Sequence, residues 1–160
     1  GTFFSPEIDD EVILGFINDD PRDPIILGAL HSSKNPPPFE PSEENSEKGY
    51  VSREGLKLVF NVEQKIVGIH TPGDNSIVLS EEEESISLKD QHGNSIVLSA
   101  DGITLDSTKD IVLKAAGDIR MEGNNIESSA QASYRAEGSA GLEVSSSGTT
   151  TVKGSLVQIN

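Results

Sequence analysis

The chain has 160 residues, with 27 acidic against 12 basic side chains and a formal net charge of −15. That excess of acid argues against non-specific nucleic-acid binding, which needs a basic footprint for the phosphates, and against docking on an anionic membrane surface. With no cysteine there are no disulfides and no thiolate metal site, and no apolar run approaches the roughly 18 residues of a membrane-spanning helix.

Aromatic residues are unevenly placed. Phe3, Phe4, Phe16, Phe39, Tyr50 and Phe60 precede Tyr134, the only aromatic residue in the remainder of the chain. The later part therefore cannot build a globular core from large rings, and its apolar content is mostly Ile, Val and Leu among Ser, Thr, Gly and Asn. The chain opens at Gly1 without a Met and shows no signal peptide, so it is expected to be a C-terminal fragment.

In chain order, Glu11–Ile17 and Pro24–Leu30 predict two strands joined by the turn Asn18–Asp23. Two strands alone are marginal in water, so residues 1–30 read as the end of a β domain. Residues 31–49, with Pro36-Pro37-Pro38 and the acids Glu43, Glu44 and Glu47, predict an extended linker. Strands resume at Tyr50–Arg53, Leu56–Phe60 and Lys65–Ile69, giving lead-in strands over 50–74.

The hexapeptide Asn75-Ser76-Ile77-Val78-Leu79-Ser80 then recurs letter for letter at Asn94–Ser99, with a further strand, Ser85–Lys89, between the copies. Glu81–Glu84 predicts a solvated turn. From Ile103 an apolar-x-apolar beat steps by eight residues to Ile111 and Ile119. It then steps by seven to Ile126, by eights to Tyr134, Leu142 and Thr150, and by seven to Val157. A short fixed period marks a stacked, repetitive architecture. In each strand the two apolar residues point to one face and the mostly polar middle residue, such as Thr104, Arg120 or Glu143, to the other.

A strand of about five residues with a short corner cannot bury its dry face alone. Two closures follow: a single-chain β-solenoid, or an intertwined trimer in which each face takes strands from three chains in turn. The thin interior of the trimer suits a core of Ile, Leu, Val, Met and Thr. The fold class expected is all-β, a hairpin from the end of a β domain (a partial OB-fold by the resemblance given next) followed by an intertwined trimeric triple-stranded β-helix over 75–160.

The segment Pro6-Glu7-Ile8-Asp9-Asp10-Glu11-Val12-Ile13-Leu14-Gly15-Phe16-Ile17-Asn18-Asp19-Asp20-Pro21-Arg22-Asp23-Pro24-Ile25-Ile26-Leu27-Gly28 resembles the end of the OB domain of VgrG proteins, the spikes of type VI secretion and related contractile injection systems. Asp10 and Asp19 stand where glycines are common in that pattern. The octads resemble the triple-stranded β-helix that follows in the same family, which is similar to the cell-puncturing spikes of contractile phage tails. The resemblance implies a homotrimeric needle assembled in the bacterial cytoplasm or on a phage tail, then driven through a target cell envelope. It also implies a PAAR-type tip protein on the C-terminal surface formed by Ser155, Leu156, Val157, Gln158, Ile159 and Asn160. Fuller members meet the inner tube through an N-terminal hub, none of which is expected here. The alternative is a trimeric or solenoid β-fibre adhesin that binds surface glycans.

Catalysis is not expected. The chain has no phosphate-binding loop, dinucleotide fingerprint or nucleophile elbow. His31, at the start of the linker, and His92, in a turn, make a Ser-His-Asp arrangement poorly supported. No cofactor and no metal site are expected. His70 is the one histidine that a three-fold axis could turn into three ligands, and an outward or corner position is the favoured reading. Axial ions or waters fit best from Ile126 to Ala136, where the beat weakens and Tyr134 either points outward or widens the shaft.

Overall fold

A computed structural model describes residues 4–159, which fall into two units divided between Val112 and Leu113. In the first unit, β1 (Glu11–Phe16) and β2 (Pro24–Leu30) pair antiparallel. The register slips between Ile13 and Leu14, so that Ile13 faces Gly28 while Leu14 faces Ile26. Leu27 is the extra residue of this bulge, and a Cβ at Gly15 would lie 3.0 Å from its Cδ1. The connection tightens into a 3-10 turn at Ile17–Asp19, with Asn18 and Asp19 at φ of 51° and 58°. Ile17, expected as the last strand residue, is the first of this turn.

Seven strands follow as one antiparallel meander in sequence order: β3 (Glu47–Val51), β4 (Lys57–Asn61), β5 (Ile66–His70), β6 (Ser76–Ser80), β7 (Ser85–Lys89), β8 (Ser95–Ser99) and β9 (Gly102–Asp106). The strand expected from Tyr50 begins three residues sooner. Glu47, Lys48 and Gly49 look like linker by composition, but they find their ladder partners in Asn61, Phe60 and Val59. Polar residues are tolerated in such an edge strand, since pairing is made by the backbone.

The meander repeats every 19 residues, and in more copies than the hexapeptide alone reveals. Ser52, Thr71 and Asp90 open three equivalent turns whose side chains accept from the backbone amides of Leu56, Asn75 and Asn94. The third turn residue after each is left-handed: Gly55 at φ 84°, Asp74 at 63° and Gly93 at 85°. At the other ends of the strands, Asn61, Ser80 and Ser99 accept from the amides of Gln64, Glu83 and Asp101. The first two units are thus each a four-residue turn between two five-residue strands, closed by a five-residue turn, whereas the β8–β9 turn is shortened to Ala100 and Asp101. The two copies of Ser-Ile-Val-Leu-Ser are β6 and β8, parallel to one another and separated by β7. Within the stretch 75–160 assigned to the needle, residues 76–106 are therefore hairpin strands of this meander.

Beyond Asp106 the rhythm changes. The chain bends at 108–109, 116–117, 124, 131–132, 139–140, 147–148 and 155–156. Those corners step by eight, eight, seven, eight, eight and eight residues, and each lies five residues after a beat position from Ile103 to Thr150. The seven-residue step from Ile119 to Ile126 has its counterpart in the seven-residue step between the corners at 124 and 131. The expected strands at 111–113, 119–121, 126–128, 142–144 and 157–159 carry no ladder within this chain. A corner every eight residues moves the backbone on before it can meet itself, and a ladder needs a neighbour.

Candidate functional site

Register places like with like across the meander. Tyr50, Leu58, Ile69, Ile77, Leu88, Ile96 and Leu105 oppose one another in turn, so one row runs across all seven strands. On the same face lies a parallel row of Phe60, Val67, Leu79, Ile86, Leu98 and Ile103, begun by Lys48. The opposite face carries Gly49, Val59, Gly68, Val78, Ser87, Val97 and Thr104 along its centre, flanked by Lys57, His70, Lys89 and Asp106 on one side. One face is dry and the other wet, as strand alternation requires.

Most of the dry face stays exposed in the single chain: Ile69, Ile77, Leu88, Ile96 and Leu105 of its first row are all exposed. No apolar side chain among the described residues is buried, whereas Ser80, on the wet face, is only 6% exposed. The chain exposes 14574 Å², against about 7,700 Å² expected for a folded monomer of 17.0 kDa. A chain this exposed, with no buried apolar side chain among its described residues, has no core of its own. A groove of about 440 Å³ follows the first row, past Ile69, Ile77, Leu88, Ile96 and Leu105 to Ile111.

The turns hold this face in register. Asn75 and Asn94 are equivalent residues of the repeat, and each reaches the next turn on its own side. The Gln91 amide donates to Asn75 Oδ1 at 3.2 Å, and the Thr108 amide to Asn94 Oδ1 at 3.0 Å. Ser107 Oγ also donates to Asn94 Oδ1 at 3.0 Å, and Thr108 Oγ1 to the His92 carbonyl at 3.2 Å. Asp90 accepts from the amides of His92 and Asn94 and from Asn94 Nδ2, at 2.9, 2.8 and 2.8 Å. The bonds from Asn94, side chain first and then amide, are the largest cause holding its carboxyl below the usual carboxylate range. In the hairpin turn, Arg22 grips Asp20 through Nε and NH2, and its side-chain bonds, followed by its amide, lower the Asp20 carboxyl likewise.

At the β3 edge, Arg53 joins the N-terminal segment to the meander. Its NH2 donates to the Ile8 carbonyl at 3.0 Å and to Asp10 at 3.1 Å, and its Nε lies 3.1 Å from Glu7. Phe4 stacks on Tyr50 with ring centroids 4.6 Å apart.

The residues singled out in the sequence fall as follows. Ser155 to Ile159 are exposed, with Ser155 and Leu156 at the last corner; Leu156 is 82% and Ile159 90% exposed, and Asn160 lies outside the described residues. His70 is on the wet face, opposite Lys57 and Ser76. His31 follows β2 and His92 sits in the Asp90 turn. Glu81–Glu84 forms an exposed turn, with Glu81 3.3 Å from Lys65. Tyr134 occupies a beat position and is exposed in the second unit. Missed in the sequence were the turn residues Ser52, Thr71 and Asp90 and their counterparts Asn61, Ser80 and Ser99. A search at the 19-residue offset over residue types rather than identities would have found them.

Residues 66–160 match the family model of the phage baseplate V C-terminal trimerisation domain, and residues 1–31 that of the type VI secretion system/phage-baseplate injector OB domain. The chain belongs to the phage baseplate V C-terminal trimerisation family, and the two matches stand in the order of a VgrG-type spike. Both families are structural components of an injector, and the second is a trimerisation domain. Comparison with curated proteins gives no match.

Proposed function

We propose that the chain is the membrane-piercing needle of a contractile injection apparatus, working as a homotrimer with a tip protein at its C-terminal end. The observation that carries this reading is the apolar row from Tyr50 to Leu105, continuous across seven strands and exposed from Ile69 to Leu105 in the single chain. Three such faces turned inward make a closed prism with a dry interior, and the corners at every eighth residue carry the chains on as a three-stranded winding. In this reading residues 1–30 form the end of the OB domain, 31–46 the linker, the meander from Glu47 to Asp106 the upper shaft and the residues beyond it the wound needle. The work is mechanical: backbone hydrogen bonds run around a sheet without lateral edges, and separating wound chains is slow, which gives kinetic stability under load. Three copies carry three times −15, charge that keeps the particle soluble rather than adhesive.

The tip surface is the exposed Ser155–Asn160 segment, where three copies would bring apolar Leu156, Val157 and Ile159 together. Co-purification with a PAAR-type tip protein tests it. The full chain should retain the tip and a chain trimmed of Leu156–Asn160 should lose it while remaining trimeric. Retention by the trimmed trimer overturns the assignment of the tip surface. Binding to surface glycans with no affinity for any tip protein would instead support the adhesin.

A further inference from the structure

The sheet ends at β9, and this edge differs from the other. Across the far side of the meander, β3 carries Glu47 and Lys48, and the ring of Phe39 lies against Gly49. β9 reads Gly102-Ile103-Thr104-Leu105-Asp106, with no proline, lysine or bulge to discourage pairing. Its backbone groups on the open side have no ladder partner among the described residues, and Ile103 and Leu105 are 72% and 55% exposed.

The chain does not turn back to fill that edge as it does after every earlier strand of the meander. Ser107 and Thr108 are held on the Asp90–Asn94 turn by the three bonds to Asn94 Oδ1 and the His92 carbonyl. The first corner of the eight-residue series falls there, at 108–109. Ile111 then lines the groove over the dry face, beside Ile96 and Leu105. The backbone thus leaves its own sheet toward the dry face.

We propose that β9 is the handover edge of the trimer: the Lys109–Leu113 segment of a second copy adds to it as the next strand. Asn94 fixes the corner at which each chain crosses. The beat supports the fit, since Ile111-Val112-Leu113 repeats the apolar-x-apolar pattern of Ile103-Thr104-Leu105. Added there, Ile111 and Leu113 would extend the two dry rows by one strand. The inference rests on the trimeric reading and adds to it which edge is open, which segment fills it and which residue sets the crossing.

The chain has no cysteine of its own, so paired cysteines report the contact directly. Neighbouring strands bring opposed Cα atoms within about 4.5–5.5 Å, inside disulfide reach. A chain carrying both Thr104→Cys and Val112→Cys should, after mild oxidation, migrate under denaturing conditions at three times 17.0 kDa and return to the single-chain position on reduction. Light scattering of the same sample before oxidation supplies the second readout. A trimer whose disulfide forms only within one chain, or not at all, overturns the handover and leaves the trimer standing. A chain that scatters as a monomer overturns both. Adding Asn94→Ala should slow cross-linking several-fold in a trimer of unchanged mass, and an unchanged rate would remove Asn94 from the crossing.

Discussion

Asp90 is the one acid among the three residues that open the long turns, where Ser52 and Thr71 are neutral. Its folded carboxyl is depressed, so the stabilisation it supplies is fully present above the ordinary carboxylate value near 3.8 and disappears as pH falls through the lower folded value. An Asp90→Asn variant should therefore have a flatter acid limb in a stability-against-pH profile. An NMR titration of Asp90 with its midpoint at or above the ordinary value would contradict the turn geometry. Gly49 makes a second prediction at this scale. A Cβ there would strike the Leu58 carbonyl and crowd Phe39, so Gly49→Ala should cost on the order of 1–3 kcal/mol, seen as a lower thermal midpoint. An unchanged midpoint would mean that the β3–β4 pairing is looser than described.

The 19-residue unit makes the meander divisible. Removing residues 76–94 joins Asn75 to Ser95 and restores the hexapeptide Asn-Ser-Ile-Val-Leu-Ser across the junction. Two strands disappear, and the sheet shortens by about 10 Å at the usual strand spacing. The shortened chain should remain folded and associated, as judged by circular dichroism and light scattering. Removing ten residues instead reverses the direction of every later strand and should abolish assembly. In the later part the divisible unit is the octad. Deleting one should be tolerated, and deleting four residues should not.

How far these units could be read from sequence depends on what each repeat must satisfy. The eight-residue beat was legible because packing demands Ile, Leu or Val at fixed places, and every corner from 108 onward keeps its step, including the single seven. The hexapeptide showed the 19-residue offset for the same reason. The meander itself was not legible, because a strand pairing with its neighbour in the chain and a strand winding around an axis ask for the same alternation. Nor were the turn residues, because Ser, Thr, Asp and Asn all accept an amide bond equally well. Identity was free to vary where chemistry was not. The β3 boundary was hidden by Glu47 and Lys48, whose side chains say linker while their backbones pair.

At the scale of the molecule, the dry face is the decisive feature. Leu88 stands between Ile77 and Ile96 in the middle of the long row. Leu88→Glu would place three carboxylates in the prism interior, each a buried unpaired charge costing several kcal/mol. The variant should lose assembly at concentrations where the parent chain is fully associated. Glu83→Gln, on the exposed turn, should leave assembly unchanged.

The account stands most directly on the mass of the particle in solution. Light scattering of the purified chain should give three times 17.0 kDa, independent of dilution over the micromolar range. A single-chain mass, with the apolar row from Ile69 to Leu105 still exposed, would contradict it.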